Sequence, residues 1–365
     1  MLEDGKINFK QLILLMVLSR IILTITYLPA LLEPPKNQDI WISEALFFPL
    51  QLLLSVPVYL LWKKFPDKTI IQYSQTIAGK AGKLVGILCI LFIIHNTAIS
   101  LAQFSLFLTT AIMPETPLLF FIVSLALVCA YAVRNGIEVI SRTSELFLPI
   151  VILAIIMVSL LLIKDMNLKV LTPVMEKGIF PVLQGGFIYA TRTPEVLGLA
   201  MLLPYLNERQ KVKTIFIVSF ALIAILFVLI TIPILTVFGM EEASTRGFPF
   251  YGVIRQISVG DFLERIEIIH IGIWTLGNFI KVSLSYYLAV LGLGQLFNLK
   301  DYKPLALPAG TVIIPLSILV APSIIELGEF LSYKIFNWYA MFFTFFIPSL
   351  LLLTAVIRKK GEKQK

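Results

Sequence analysis

The chain has 365 residues, of which 58% are hydrophobic and only 14% are charged, and its mean hydropathy is +0.92. Soluble domains carry about 25% charged residues, so this composition excludes a water-soluble globular protein and predicts an integral membrane protein. The net charge of +8 comes with no nucleic-acid-binding motif, and we interpret it as membrane topology and contact with anionic lipid.

Apolar segments long enough to cross a hydrocarbon core of roughly 30 Å recur along the whole chain. The N-terminus lacks the basic start and the cleavage site of a signal peptide, so the first segment is expected to remain as a span. We predict an all-α fold in one membrane domain, residues 1–365, with spans at 9–32, 41–62, 84–113, 117–134, 145–163, 180–206, 213–239, 266–298, 305–324 and 335–357.

The loops between these spans differ in their content of lysine and arginine. If the N-terminus lies in the cytoplasm, the cytoplasmic segments hold 19 basic residues, including those of the tail at 358–365, and the outer loops hold 8. Basic residues favour the cytoplasmic side, so the sequence predicts that both termini are cytoplasmic.

Polar residues within the spans are the candidates for chemistry. A charge at the centre of a membrane helix costs at least ~2.5 kcal/mol, so such residues usually face a cavity or a partner. The charged candidates are Arg20, Arg192, Glu195 and Lys281. The uncharged candidates lie on the same four spans, the first, third, sixth and eighth, and are Thr24, Thr26, Asn96, Ser100, Gln103, Tyr189, Thr191, Asn278 and Ser285.

Helical spacing aligns several of these residues. Asn278, Lys281 and Ser285 share one stripe of the eighth span, and residues 96, 100 and 103 share one stripe of the third. A polar stripe must face protein or water rather than lipid. For the small polar residues, interhelical hydrogen bonding that only holds the helices together is the alternative to ligand binding.

The sixth span is predicted to break. Gly185 and Gly186 increase backbone freedom, and Pro194 removes one amide and clashes with the carbonyl of Ala190. A freed carbonyl at membrane depth needs a polar partner, so the break is expected to line a cavity. Discontinuous helices at matching places in two halves hold the substrate in many secondary transporters, which makes the first span the matching candidate.

Short stretches in a fixed order resemble one family. They are INFKQ (7–11), Leu28-Pro29, DIW (39–41), NGIEVISRTSELFLP (135–149), NLKVLTPVMEKGIFPVLQG (167–185), LLP (202–204) and FLERIE (262–267) followed by Trp274. Together they resemble the B-subunit family of spore germinant receptors, which are germination permeases of the amino acid–polyamine–organocation transporter superfamily.

The resemblance implies a leucine-transporter-like fold with two inverted five-helix repeats, about 8–164 and 180–357, in which helices 1 and 6 are discontinuous. It also implies a ligand-sensing subunit in the inner membrane of the bacterial spore, acting with a germinant receptor A subunit and a C lipoprotein subunit. The germinant, typically an amino acid, would bind between helices 1, 3, 6 and 8. The polar residues select the same four helices.

One departure from the family concerns the first span. Many members have glycines where this chain has Ile22 and Thr24, and the unwound backbone there meets the ligand carboxylate. We therefore expect Lys281 or Arg192 to bind this carboxylate, because the four candidate charges sum to +2. An alternative is that Arg192 and Glu195 mainly satisfy each other across the break, which would favour Lys281.

Two function classes stay open at this point. One is a receptor subunit that signals by conformational change. The other is an ion-coupled secondary transporter of amino acids, with Glu195 as the proton carrier. An enzyme is disfavoured, because His95 and His270 lack a carboxylate at motif spacing, and no cofactor or metal motif is found. Cys89 and Cys129 lie in apolar segments, which argues against a metal site or a disulfide.

Overall fold

The computed structural model describes residues 2–3, 5–26, 31, 33–257 and 267–361, without the side chains of Leu23 and Thr26. Three sequence predictions therefore lie outside the described residues: the side chain of Thr26, the pair Leu28-Pro29, and residues 262–266 of the FLERIE stretch.

The described chain folds almost entirely into helices. The α-helices are α1 (Phe9–Thr26), α2 (Ile40–Leu54), α3 (Val56–Lys64), α4 (Ile70–Ala78), α5 (Lys80–Phe107), α6 (Leu118–Arg134), α7 (Ile137–Leu161), α8 (Ile179–Thr191), α9 (Glu195–Leu202), α10 (Val212–Thr245), α11 (Pro249–Ile254), α12 (Glu267–Leu296), α13 (Ala306–Val320), α14 (Ile324–Phe330), α15 (Phe336–Met341) and α16 (Ile347–Ile357).

Ten helical segments correspond to the ten predicted spans. Within the described ranges, seven are long and apolar enough to cross a membrane: Ile40–Lys64, Lys80–Ile112, Ile137–Leu161, Arg209–Thr245, Glu267–Leu296, Lys303–Val320 and Phe336–Ile357. The others are α1, α6, and one span in two pieces, Ile179–Thr191 and Glu195–Tyr205. The predicted all-α membrane fold is confirmed.

Helix α1 differs from the prediction. It runs unbroken from Phe9 to Thr26, so the break expected in the outer half of span 1 is not found over these residues. The β-branched residues there pack into the core instead. Ile22 is completely buried, and a Cβ added at Gly277 of α12 would stand 2.2 Å from its Cδ1. The missing side chain of Gly277 makes room for Ile22.

Helix α12 lies at the centre of the fold. In α12, 83% of the most apolar stretch is buried inside the protein, whereas in α7 the corresponding share is 28%. Trp274, Tyr286 and Tyr287 are among its fully buried side chains. Large apolar side chains on the peripheral helices are exposed, such as Phe180 and Leu319, as expected for surfaces that face lipid tails. The buried polar side chains of α12, among them Asn278, Lys281 and Ser285, therefore face protein.

The chain before α1 closes one end of the helical bundle, which we call the N-terminal face. The backbone of Ile7 pairs with the segment after α9, where its N–H donates to Tyr205 O at 3.1 Å and its carbonyl accepts from Asn207 N at 3.0 Å. Glu3 is buried and accepts hydrogen bonds from the hydroxyls of Tyr287 (3.0 Å) and Tyr302 (2.6 Å). Burial and the Glu3 carboxylate raise the pKa of Tyr302 well above its ordinary value, so this hydroxyl stays a donor.

Candidate ligand-binding site between four helices

The sixth span breaks between α8 and α9. Helix α8 ends at Thr191, Arg192 has the non-helical angles φ −92° and ψ 39°, and α9 starts after Pro194. The predicted break at Pro194 is therefore present. The break assigned to Gly185 and Gly186 was wrong, because both lie inside α8. They let α2 approach: a Cβ on Gly185 would stand 2.6 Å from Ser43 Oγ, and one on Gly186 would stand 2.9 Å from Leu46 Cβ.

Lys281 of α12 reaches the break and forms a buried ion pair. Its Nζ lies 3.0 Å from Glu195 Oε1 at the start of α9, and 2.9 Å from the carbonyl oxygen of Ser19 on α1. The two charged side chains are 2% and 5% exposed. The other carboxylate oxygen, Glu195 Oε2, is buried and has no hydrogen-bond partner among the described residues. The pair thus joins three helices and leaves one charged acceptor unused.

A small cavity adjoins this pair, and we call it the central cavity. Its volume is about 30 Å³, room for roughly two or three water molecules at about 10–15 Å³ each. It is lined by residues of α1, α5, α9 and α12 and of the break before α9: Ser19, Phe92, Ile93, Asn96, Pro194, Glu195, Gly198, Lys281, Leu284, Ser285 and Leu288. An organic ligand can enter only if these residues move apart.

Arg192 points away from the central cavity, towards the face opposite the N-terminal face. It donates to Glu33 before α2 and to Asn337 of α15. Glu33 Oε1 also accepts from Tyr333 N at 2.7 Å, and Asn337 Nδ2 donates to Thr191 Oγ1 at 2.7 Å. Burial raises the pKa of Glu33, and the Arg192 guanidinium opposes that rise. This network ties the break to two segments on the opposite face.

The alternative pairing of Arg192 with Glu195 was therefore wrong. Each residue has a different partner, because the non-helical backbone at Arg192 turns the two side chains to different sides of the span. Arg192 is also engaged by Glu33 and Asn337, so of the two cations expected to meet a ligand carboxylate, only Lys281 lines the central cavity.

A second buried cluster surrounds Glu44 of α2. Its side chain is 0% exposed, and Oε1 accepts from Tyr189 OH of α8 (2.8 Å) and from Thr231 Oγ1 of α10 (2.7 Å). Glu44 Oε2 has no hydrogen-bond partner in the described part of the chain. Arg20 of α1 is buried nearby, with its guanidinium carbon 5.0 Å from the ring centre of Phe227.

The buried carboxylates change the charge balance expected from the sequence. Arg20, Arg192 and Lys281 face Glu33, Glu44 and Glu195, so the formal charges of these six buried side chains cancel when all are ionised. The sum of +2 was incomplete. Glu44 stands inside the predicted second span, and the rule that selected the other charges applied to it as well. Glu33 lies between two spans, and only the fold brings it to Arg192.

The chain matches proteins of a known family over most of its length. A family model described as "Spore germination protein" matches residues 6–325. The chain belongs to the spore germination permease family. Spore germination protein KB of Bacillus subtilis (strain 168) is 29% identical over 371 residues, covering 100% of this chain and 98% of that protein. Spore germination protein XB of Bacillus anthracis is 27% identical over 288 residues, covering 77% of this chain and 79% of that protein.

Solved structures of transporters share the fold of this chain. Mhp1, a nucleobase-cation-symport-1 family transporter in a closed conformation with bromovinylhydantoin bound, has a TM-score of 0.58 at 14% identity, covering 90% of this chain and 75% of that chain. A manganese transporter of Eremococcus coleocola has a TM-score of 0.54 at 13% identity, covering 100% and 84%. The expected leucine-transporter-like architecture is thereby confirmed for this chain.

Some of the other predicted site residues line the central cavity, and the rest lie elsewhere in the fold. Asn96 and Ser285 line the central cavity together with Glu195 and Lys281. Pro194, predicted as the helix break, lines it too, and the remaining predicted ligand-binding residues with described side chains do not. Ile22 borders a separate apolar cavity of about 50 Å³ that also contacts His270 and Trp274. The buried residues outside the central cavity are Thr24, Ser100, Gln103, Tyr189, Thr191, Arg192 and Asn278.

Several of these side chains form hydrogen bonds within their own helix or to a neighbouring helix instead. Ser100 Oγ donates to Asn96 O at 2.9 Å and Asn278 Nδ2 donates to Trp274 O at 3.0 Å, each within its own helix. Tyr189 binds Glu44. Tyr189 thus forms an interhelical hydrogen bond, the type of bond considered as the alternative to ligand binding, whereas Ser100 and Asn278 bond within their own helices.

Sequence reasoning missed the apolar half of the cavity and Ser19. Phe92, Leu284 and Leu288 look like ordinary membrane residues, and no pattern separates them from lipid-facing ones. Ser19 contributes a backbone carbonyl, which the side-chain sequence does not reveal. Asn337 was detectable, since it is a polar residue inside the predicted tenth span.

Proposed function

We propose that this permease is the ligand-sensing membrane subunit of a spore germinant receptor, and that it binds a small germinant, an amino acid, in the central cavity. The observation that carries the proposal is the Lys281–Glu195 pair at the broken sixth span, beside a cavity shared by four helices. One cation and one carboxylate with a free oxygen complement the carboxylate and ammonium of a zwitterion.

The cavity walls support a ligand with a small apolar side chain. Phe92, Leu284 and Leu288 line the cavity together with the charged pair, and Gly198 leaves space on α9. The N-terminus of α9 adds a partial positive charge beside Glu195, which favours an incoming carboxylate. Because the cavity holds only a few water molecules, binding requires the helices to separate, and ligand binding is thereby coupled to a change in their packing.

The change in packing is the signal in this proposal. In the inner membrane of the spore, a germinant receptor A subunit and a C lipoprotein subunit would bind this chain and respond to the change in packing. Both termini of this chain would lie in the cytoplasm. The bias of 19 against 8 basic residues supports that orientation. The family membership supports a role in germination.

Ligand-dependent thermal stability of the purified full chain in lipid nanodiscs tests the binding proposal. The probes are the standard amino acids and, for alanine and valine, matched compounds that lack the carboxylate (ethylamine, isobutylamine) or the amine (propionate, isovalerate). A zwitterion at 100 times its Kd should stabilise the protein by about 2.7 kcal/mol, and the matched compounds should not.

Variants separate this site from unspecific effects. Lys281→Met and Glu195→Gln should each abolish the stabilisation, while Arg142→Gln, which removes an exposed ion pair with Glu138, should preserve it. Unchanged ligand affinity in both cavity variants, or no response to any amino acid, would refute the proposal. Spores carrying the same variants should lose germination with the amino acid that stabilises the purified chain.

The second candidate function is ion-coupled transport of amino acids. The fold shared with Mhp1 and the manganese transporter favours it, because both are transporters. Uptake of a labelled amino acid into proteoliposomes distinguishes the two functions. Accumulation that depends on a proton or sodium gradient supports transport, and binding without accumulation supports a receptor.

A further inference from the structure

Glu33, Glu44 and Glu195 are the three buried carboxylates that face Arg20, Arg192 and Lys281, and they differ in their partners. Glu195 pairs with Lys281 and Glu33 pairs with Arg192. Glu44 has no ion pair among the described residues, and its hydrogen bonds come only from two hydroxyls, both to Oε1. Ion pairing thus separates Glu44 from the other two.

Burial of a carboxylate without a cation is costly. Such a group usually takes up a proton instead of remaining charged, because the low-dielectric interior penalises the charge by several kcal/mol. Glu44 is completely buried, and its Oε2 has no hydrogen-bond donor in the described structure. A proton on Oε2 removes the charge and leaves both hydroxyl contacts to Oε1 in place.

The groups that face Glu44 allow it to take up and release a proton. From α8 and α10 come Tyr189 and Thr231, whose hydroxyls are neutral and can donate or accept. From α1 comes the buried cation Arg20, which forms no ion pair with Glu44 among the described residues. Arg20 Nε makes no hydrogen bond to the described residues, and its guanidinium stacks on Phe227. Within the described ranges, no cation forms an ion pair with Glu44.

We propose that Glu44 is a proton-binding site of this protein, which is protonated while Glu33 and Glu195 stay ionised. A proton from solution forms an O–H bond at Oε2, and the local charge rises by one. The assignment replaces Glu195 as the proton carrier of the transport alternative, since Glu195 is held by Lys281.

Protonation of Glu44 changes what the central cavity attracts. With Glu44 neutral, Arg20, Lys281 and Arg192 outnumber Glu33 and Glu195 by one charge, so an entering carboxylate is electrostatically compensated. This consequence rests on the proposed amino acid site. Proton binding at Glu44 itself does not depend on it, and the two statements can fail separately.

Infrared difference spectroscopy of the full chain in nanodiscs tests the proton site without any ligand. Wild-type protein at neutral pH should show the C=O stretching band of one protonated, buried carboxyl group. Glu44→Gln should lose this band. Its amide oxygen can still accept both hydroxyl bonds. Glu33→Gln and Glu195→Gln should retain the band.

Two milder variants cover the case in which Glu44→Gln does not fold. Tyr189→Phe and Thr231→Val each remove one donor to Glu44 Oε1, so each should shift the frequency of the carboxyl band. Absence of the band at neutral pH, its persistence in Glu44→Gln, or an unshifted band in both hydroxyl variants would overturn the proposal.

Discussion

Lys281 Nζ and Glu195 Oε1 lie 3.0 Å apart, with both side chains buried, at the point where the sixth span is broken. Because Lys281 also donates to the carbonyl of Ser19, this pair fixes α12 against α1 and against the start of α9. Its energetic balance depends on both charges being present together.

Removing one member of the pair should destabilise the protein strongly. Lys281→Met or Glu195→Gln alone leaves an uncompensated buried charge, at an expected cost of about 3–5 kcal/mol. The double variant removes both charges and should recover most of that loss. Wild type, the two single variants and the double variant form a double-mutant cycle. Their thermal unfolding in nanodiscs measures the coupling energy between Lys281 and Glu195. Additive effects of the two substitutions would show that the pair is not a unit.

The network of Arg192 and Glu33 should control access to the central cavity from the opposite face. Glu33→Gln removes the charge that holds Arg192. A hydrogen bond to a charged group contributes about 1.5–3 kcal/mol. We therefore expect a cysteine placed in the cavity lining to react with a water-soluble thiol reagent roughly tenfold faster or more.

A reporter cysteine in the cavity lining measures this access. Ser285→Cys, in a chain with Cys89 and Cys129 replaced by alanine, reacts with a water-soluble thiol reagent when the cavity opens. Glu242→Gln is the matched control, since its ion pair with Arg246 is half-exposed. Equal labelling rates in Glu33→Gln and in the control would exclude a gating role for Arg192.

Packing of α1 against α12 should depend on the missing side chain of Gly277. A Cβ there would stand 2.2 Å from Ile22 Cδ1 and 2.4 Å from Cγ1, so Gly277→Ala forces Ile22 out of its rotamer. Overpacking of this kind costs about 1–3 kcal/mol. Gly272→Ala, in the same helix with nothing within 4 Å, should be neutral or stabilising.

Thermal unfolding compares these two glycine variants directly. Adding Ile22→Val to Gly277→Ala should restore part of the lost stability, because the clashing Cδ1 methyl is removed. If Gly277→Ala and Gly272→Ala unfold at the same temperature, then α1 does not require this close approach.

The spans could be predicted from sequence because burial in lipid demands long apolar helices, and the break was predictable from Pro194. The four helices around the cavity followed from their intramembrane polar residues. The hydrogen-bond and ion-pair partners of these polar residues could not be predicted from the sequence. Arg192 meets Glu33 and Asn337 across 159 and 145 residues of chain, and no local spacing encodes such contacts. The burial of Ile22 in α1 likewise involves a distant residue, Gly277, which local sequence does not reveal.

Closure of the N-terminal face should depend on Glu3. Its Oε2 accepts from the hydroxyls of Tyr287 and Tyr302, and its Oε1 accepts from Gly5 N at 2.8 Å. Glu3→Ala leaves these buried donors without an acceptor, at about 1–3 kcal/mol. Because the next residues pair with the segment after α9 through Ile7, the loss should release that segment from the N-terminal chain.

Limited proteolysis of the N-terminal segment measures the release of this contact. Glu3→Ala should be cleaved near Lys6 roughly tenfold faster than wild type, as about 1.4 kcal/mol per tenfold implies. Tyr287→Phe removes one of the two hydroxyl donors and should give an intermediate rate, since Tyr302 still binds the carboxylate at 2.6 Å. Lys10→Met, in the exposed first turn of α1, is the control and should leave the rate unchanged. Wild-type cleavage rates in Glu3→Ala would mean that Ile7 and Tyr205 hold this face closed without the carboxylate.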